Sequence, residues 1–186
     1  KHILERYNPL FGLRILLNTQ INMDYICYNF RVARVHVFGK DIKHSRWEPN
    51  MNIYLIRHGR QCSSLCNVNV GLAREGFRQA DLLGRRLEAY HIDALYSSHL
   101  IRAMETAKII NQYLKQEHII RENICEISFG ALEGNTDEYI MENFADFKTN
   151  QMKLMEDVPY PSGECGADVY KRAMVTIEEI LKSDKR

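Results

Sequence analysis

The chain has 186 residues, 45% of them hydrophobic, enough for one sizeable core with a small appendage but hardly for two full domains. Its formal charge is +1, from 25 Lys+Arg against 24 Asp+Glu, which excludes both the basic field that favours nucleic acid and the acidic tail of a solvating segment. A small neutral or anionic ligand is the partner that remains.

Residues 1–20 lack the charged start, apolar middle and small-residue cleavage site of a secretory signal, and no apolar run is long enough to span a bilayer, so a cytoplasmic protein is expected. The five cysteines, Cys27, Cys62, Cys66, Cys125 and Cys165, are an odd number that fits reduced thiols better than a disulfide framework. The spacing His58-x3-Cys62-x3-Cys66 raises a zinc reading, yet the paired Cys-x2-Cys knuckle and a second ligand pair are missing, and no metal is expected. The chain starts at Lys1 rather than Met, has an internal Met51 and stops in a charged run, so both ends read as cut.

Residues 1–50 form a first segment of unknown role, which packs on the sheet, mediates homodimerisation or belongs to an upstream domain. Within it, residues 32–40 alternate enough for an edge strand, where His36 reads as an ordinary strand residue. Pro49-Asn50 marks a turn and a boundary. From Met51 the pattern becomes regular. Ile53 to Ile56 is a buried strand, and residues 62–71 a polar loop. Residues 75–90 place Phe77, Ala80, Leu83, Leu87 and Tyr90 on one helical face. A strand at 92–97 and a helix at 100–114, with Ala103, Ala107, Ile110 and Leu114 aligned, follow. Residues 119–127 hold a third strand. Asn135, three residues before Glu138, resembles a capping box that opens a helix through Phe147. Residues 159–166 are loop, and 168–181 a last helix with Val169, Ala173, Ile177 and Ile180 inward. Strands alternating with helices predict an α/β fold, a three-layer sandwich with a mostly parallel sheet covered by helices on both faces.

Chemistry concentrates where strands end. Arg57-His58-Gly59 follows the first regular strand, at the edge where open α/β sheets place ligands. His58 suits a nucleophile, a base or a metal ligand, and Arg57 offers a fork of donors matched to phosphate or carboxylate. Arg102 sits in the first turn of the helix after Ser97-Ser98-His99, so that two guanidinium groups and a helix N-terminus would converge on one anion. Taken singly, Arg102 reads as a solvated helix arginine and Glu126 as a surface glutamate. Other phosphate chemistries lack their signatures: Cys165 is followed six residues later by Lys171 rather than arginine, and neither an Asp-x-Asp pair nor a Gly-x4-Gly-Lys loop occurs.

In order along the chain stand Leu55-Ile56-Arg57-His58-Gly59, Gly71-Leu72-Ala73-Arg74-Glu75-Gly76-x2-Gln79-Ala80, Tyr96-Ser97-Ser98-x-Leu100-x-Arg102-Ala103-x2-Thr106-Ala107, Glu126-Ile127-x-Phe129-Gly130-x2-Glu133-Gly134 and Pro161-x-Gly163-Glu164. Together these blocks resemble the histidine phosphatase superfamily, in its phosphoglycerate mutase-like branch, over about residues 51–181. The resemblance implies that His58 attacks phosphorus and carries the phosphoryl group, that Arg57 and Arg102 bind its oxygens, and that Glu126 protonates the leaving alcohol. Donors around the phosphoryl oxygens offset the charge that repels a nucleophile. A carboxyl used as an acid needs a raised pKa, which burial beside Ile127 and Phe129 would supply.

Three departures qualify the resemblance. Arg60 and Gln61 stand where the family commonly has glutamate and threonine after His-Gly, and the loop from His58 to Leu72 is short; Gln61 and Asn67 are left as its substrate-binding side chains. The family's second catalytic histidine, in a late Ser/Thr-His-Gly strand, has no counterpart after Leu181, which implies that the domain at 51–186 is truncated at its C-terminus. The expected function is therefore a phosphatase hydrolysing a small phosphomonoester through a phosphohistidine on His58, with no cofactor, no metal, no nucleic acid and no membrane. The alternatives are a non-catalytic phospho-ligand-binding pseudo-enzyme and phosphoglycerate mutase-type transfer, the latter disfavoured by the short segment 138–161.

Overall fold

The computed structural model describes residues 23–25, 32–41, 46–152 and 156–183, with side-chain surroundings from Asn52 onward. Cys27, the side chain of His36 and the segment read for a signal lie outside what is described. Strands β1 (Met23–Tyr25), β2 (Val32–Asp41) and β3 (Arg46–Ile56) form an antiparallel sheet in the order β1-β2-β3. Helix α1 (Arg74–Leu87) runs into a 3-10 turn at Glu88–Tyr90. Strand β4 (Leu95–Ser97), helix α2 (Ile101–Leu114) and strand β5 (His118–Ile120) follow, with β4 and β5 parallel. Short 3-10 turns at Glu122–Ile124 and Gly130–Leu132 precede α3 (Asp137–Asn143), α4 (Ala145–Met152) and α5 (Gly166–Lys182). Among the described residues no helix is long and apolar enough to cross a membrane.

The β4-α2-β5 unit is the parallel crossover that the alternation of strands and helices predicts, because parallel strands need a connection about as long as a helix. Several local expectations are corrected. The 32–40 segment is the middle strand of its sheet and not an edge. Pro49-Asn50 does not turn: Val37 pairs with Met51 and Phe38 with Pro49, so Asn50 is the extra residue of a bulge inside β3. A bulge is where a strand tolerates a residue without an N–H. The third strand stops at Ile120, and residues 122–124 coil into a 3-10 turn instead. The cap of α3 is Thr136, whose Oγ1 accepts the Tyr139 N–H at 3.2 Å, while Asn135 spends its amide on the Ala131 and Glu133 carbonyls. The helix expected to run to Phe147 breaks after Asn143, where Phe144 leaves helical geometry.

The chain divides into two compact units. One comprises the described parts of Leu16–Cys62 with Asn69–Arg121, the other Ser63–Val68 with the described parts of Glu122–Lys182. The core of the first is Leu83, Leu87 and Ile110, against which Tyr54, Ile56, Tyr90 and Leu114 pack. Burying each such aliphatic side chain contributes about 1.5–3 kcal/mol. Tyr54 and Ile56, two apart on β3, show the period-2 face that the strand turns to the helices. Tyr54 and Tyr90 meet edge to face, with centroids 5.7 Å apart. Phe77, expected inward, is 45% exposed. The buried stripe of α1 runs through Gly76, Ala80, Leu83, Gly84 and Leu87, and Phe77 is rotated one residue off it. Helices α1 and α2 approach closely, since a Cβ on Gly84 would lie 3.1 Å from Ile110 Cα.

His118 ties β5 to β4. Ser97 Oγ donates to Ser98 O at 2.9 Å, so at 2.8 Å it is the acceptor for His118 Nε2–H. Burial pushes the His118 pKa below its ordinary value. The unfolded chain therefore takes up this proton more readily than the folded one. Stability should be level above about pH 6.5 and fall as pH drops from there toward the depressed folded pKa. Denaturant unfolding of the wild type and His118→Asn between pH 5 and 8 checks this: the variant should lose part of the acid-side decline, and an unchanged profile would exclude His118 as its source.

Candidate active site

His58 leaves the end of β3 and is half-buried. Its Nδ1 lies 2.7 Å from Gly59 O, and a carbonyl can only accept, so Nδ1 carries a proton, and in the neutral tautomer the ring lone pair is on Nε2. The backbone that follows is held on three sides. Gly59 N–H donates to Thr106 Oγ1 at 3.0 Å, and that hydroxyl donates to Arg102 O at 2.7 Å, tying the histidine loop to the first turn of α2. Arg60 N–H donates to Gln79 Oε1 at 2.9 Å, and Arg60 O accepts the Ala73 N–H at 2.8 Å, which docks the loop on the start of α1. Gly59 and Gly76 meet without side chains, for a Cβ on Gly59 would lie 2.6 Å from Gly76 O, and one on Gly76 would strike Arg60 O. Both glycines are required by this close approach.

Arg102 is 2% exposed, whereas Arg57 and Arg60 are exposed. A guanidinium held at low effective dielectric attracts an anion more strongly than one in water, and its burial is costly unless compensated. It stands in the first turn of the 14-residue α2, whose N-terminal Ile101 N–H donates to Asn69 Oδ1 at 2.9 Å. The dipole there adds to the same preference for negative charge. Glu105 Oε2 accepts the Leu72 N–H at 2.7 Å and anchors the far end of the loop, while Gln61 forms an isolated antiparallel bridge with Leu72.

The other unit carries Glu126. It is exposed, so the burial expected beside Ile127 and Phe129 is not there, and its Oε1 accepts the Ile127 N–H at 3.1 Å. A 3-10 turn and irregular backbone put it on the surface where a strand had been expected. Arg172, on α5, reaches this segment: Nη1 donates to Asn123 O and Cys125 O at 2.8 and 2.9 Å, and Nη2 to Glu126 O at 3.1 Å. The same guanidinium grips Glu164 through Nε at 2.7 Å and Nη2 at 2.9 Å. Hydrogen bonding from Arg172 holds the Glu164 carboxyl below the usual carboxylate range, and in turn raises the Arg172 pKa. The N-terminus of α5 is held by Asp157, whose two oxygens accept the Gly166 and Ala167 N–H groups.

The structure gathers His58, Arg57, Arg102 and Gln61 in one unit and carries Glu126 and Asn67 in the other. The left-handed backbone of Asn67 (φ 46°) turns the amide inward, and Nδ2 donates to Ile127 O at 3.3 Å and Glu133 Oε1 at 3.0 Å. Those bonds brace the loop. Among the described residues no group of three or more His, Cys, Asp or Glu side chains is arranged to hold a metal ion. Burial pushes the Cys66 thiol up. Sequence reasoning gave no role to Thr106, Gln79, Glu105, Glu164 or Arg172. Most of these lie inside the motif blocks, which was their signal; Arg172 lies in none, and its only mark is an arginine beside the inward Ala173.

A family model described as the histidine phosphatase superfamily (branch 1) matches residues 53–186. The chain is 33% identical over 111 residues to phosphoserine phosphatase 1 of Hydrogenobacter thermophilus, a match covering 60% of this chain and 53% of that protein. It is 34% identical over 163 residues to a 2,3-bisphosphoglycerate-dependent phosphoglycerate mutase of Methanococcus vannielii, covering 70% and 69%. The solved mycobacterial glucosyl-3-phosphoglycerate phosphatase bound to inorganic phosphate superposes with a TM-score of 0.60 at 23% identity, over 68% of this chain and 61% of that one. The alpha-ribazole phosphatase of Shigella flexneri gives 0.58 at 21%, over 67% and 64%. These superpositions assign the α/β fold. The chain thus spans about half to two-thirds of the length of these relatives.

Thr106 is the residue on which the histidine loop hangs. Thr106→Val should leave the buried Gly59 N–H without an acceptor and cost about 1–3 kcal/mol in denaturant unfolding, while Thr106→Ser, which keeps the hydroxyl, should cost much less. Equal losses would show that the methyl packing, not the hydrogen bond, matters.

Proposed function

Because the chain belongs to the histidine phosphatase superfamily, branch 1, over residues 53–186, we propose that it hydrolyses a small phosphomonoester through a phosphohistidine formed on His58. The observation that supports this reading is the Nδ1–H···O bond to Gly59 at 2.7 Å, which in the neutral imidazole puts the nucleophilic lone pair on Nε2. In the first step the Nε2 lone pair forms the N–P bond, the ester P–O bond breaks, and its electron pair goes to the leaving oxygen, which takes the proton of the Glu126 carboxyl. In the second, water attacks phosphorus, Glu126 carboxylate accepts a water proton, and the N–P electron pair returns to Nε2. Arg57 and Arg102, with the α2 N-terminus, hold the phosphoryl oxygens through both steps. Gln61 adds a polar contact from the same loop.

The catalytic domain in this reading is residues 51–186. The substrate is an alcohol phosphate of metabolite size, a class supported by the phosphoserine, glucosyl-3-phosphoglycerate and alpha-ribazole phosphatases among its relatives. Transfer to a second alcohol in place of water is the next reading, favoured by the mutase from Methanococcus vannielii. The chemistry takes no metal and no cofactor. Free thiols at Cys62, Cys66, Cys125 and Cys165 fit a reducing compartment, the cytoplasm.

Para-nitrophenyl phosphate turnover tests the mechanism. His58→Ala should lower kcat roughly a thousandfold or more, and EDTA should leave the wild-type rate unchanged. Turnover that survives the substitution excludes the phosphohistidine route, loss on chelation returns a metal to the site, and phosphate binding without turnover would mark a non-catalytic binder.

A further inference from the structure

We propose that Arg172 is the positioning residue for Glu126, clamping the backbone carbonyls around the acid onto Glu164; the inference rests on the general-acid reading of Glu126 above. A guanidinium has five N–H donors in a fixed plane. In Arg172 all of them are placed: Nε on Glu164 Oε1, Nη1 on Asn123 O and Cys125 O, Nη2 on Glu126 O and Glu164 Oε2, at 2.7 to 3.1 Å. Three of these acceptors are main-chain carbonyls of one short irregular segment. That segment has no ladder of its own to fix it, since β5 ends at Ile120 and the turn at Glu122–Ile124 is a single 3-10 turn.

Glu164 completes the clamp from the other flank. Its Oε2 also accepts the Ser128 N–H at 2.9 Å, and its own N–H donates to Ser128 O at 3.0 Å. Residues 123–126 and 128 are thereby fastened on both sides of Glu126, to an arginine on a helix whose Ala173, Thr176 and Ile177 are buried. The Glu126 carboxylate, exposed and bonded to its own neighbour's N–H, takes its location from this backbone. The arginine and glutamate side chains are only 20% and 25% exposed, so the pair keeps its geometry against competition from water. Lysine could not substitute, because a point charge with three donors cannot meet five acceptors spread over a plane.

A residue that merely stabilises the unit would affect all substrates alike, whereas one that positions an acid matters only when the leaving group needs a proton. Arg172→Lys, checked for folding by thermal melting, should lose about ten- to a hundredfold in kcat/KM on an alkyl phosphate such as glycerol 2-phosphate. On 2,4-dinitrophenyl phosphate, whose leaving group departs without protonation, it should stay within about threefold of wild type. Glu164→Gln, which keeps the shape and removes the counter-charge, should show the same bias and serves if Arg172→Lys fails to fold. Equal losses on both substrates overturn the proposal. Glu126→Gln separates the two layers: leaving-group dependence there but not in the Arg172 and Glu164 variants sinks the positioning role alone, and its absence in Glu126→Gln sinks the general-acid reading and the inference with it.

Discussion

The close approach of Gly59 to Gly76 is the constraint on which the histidine side of this protein depends. Backbone meets backbone there at a distance that admits no Cβ on either residue. Once those two segments touch, the Arg60 carbonyl reaches Ala73 N–H, the Arg60 N–H reaches Gln79, and the Gly59 N–H reaches Thr106. A loop that would otherwise be mobile becomes an extension of α1 and α2. His58 inherits its orientation from that arrangement, since the carbonyl that accepts its Nδ1–H belongs to Gly59 itself. The tautomer of the histidine is thus a consequence of helix packing.

The unit that carries Glu126 solves a similar problem by charge. Its backbone between Glu122 and Gly134 has no strand to lie in, and irregular backbone must find acceptors and donors elsewhere. Side-chain ions supply them. Arg172 takes three carbonyls, Glu164 one N–H, and Glu133 Oε1 collects the Phe129 N–H, the Ser128 hydroxyl and the Asn67 amide. Phe129, Tyr160 and Phe147 pack beside them, with neighbouring centroids 4.7 and 5.3 Å apart. Charged side chains that a composition count would assign to the surface are in this unit the scaffold of the loop.

Helices and the parallel crossover were legible because their signal is periodic. Ala80, Leu83 and Leu87 recur at helical spacing and are buried as expected, and so are Ala107 and Ile110 on α2 and Ala173 and Ile177 on α5. What misled was local chemistry with two outcomes. Pro49-Asn50 serves a turn or a bulge equally well, and the partner strand decided for the bulge. Asn135 and Thr136 are both good caps, and the one whose oxygen reached the Tyr139 N–H prevailed. Phe77 was drawn outward because Gly76, needed for its lack of a side chain, occupies the buried line of α1.

By itself the sequence determined the family and the α/β class and singled out His58, Arg57, Arg102 and Glu126 as candidates, since ordered motif blocks and apolar periods are properties of the chain. The tertiary structure alone decided which nitrogen of His58 faces the Gly59 carbonyl, that Arg102 is buried while Arg57 is not, that Asn67 spends its donors on the protein, and that Arg172 serves the Glu126 segment. Each of these depends on a hydrogen bond or a burial set by residues tens of positions apart, such as Gly59 and Thr106 or Arg172 and Glu126. No local pattern encodes such a pairing; only the packing of one element on another does.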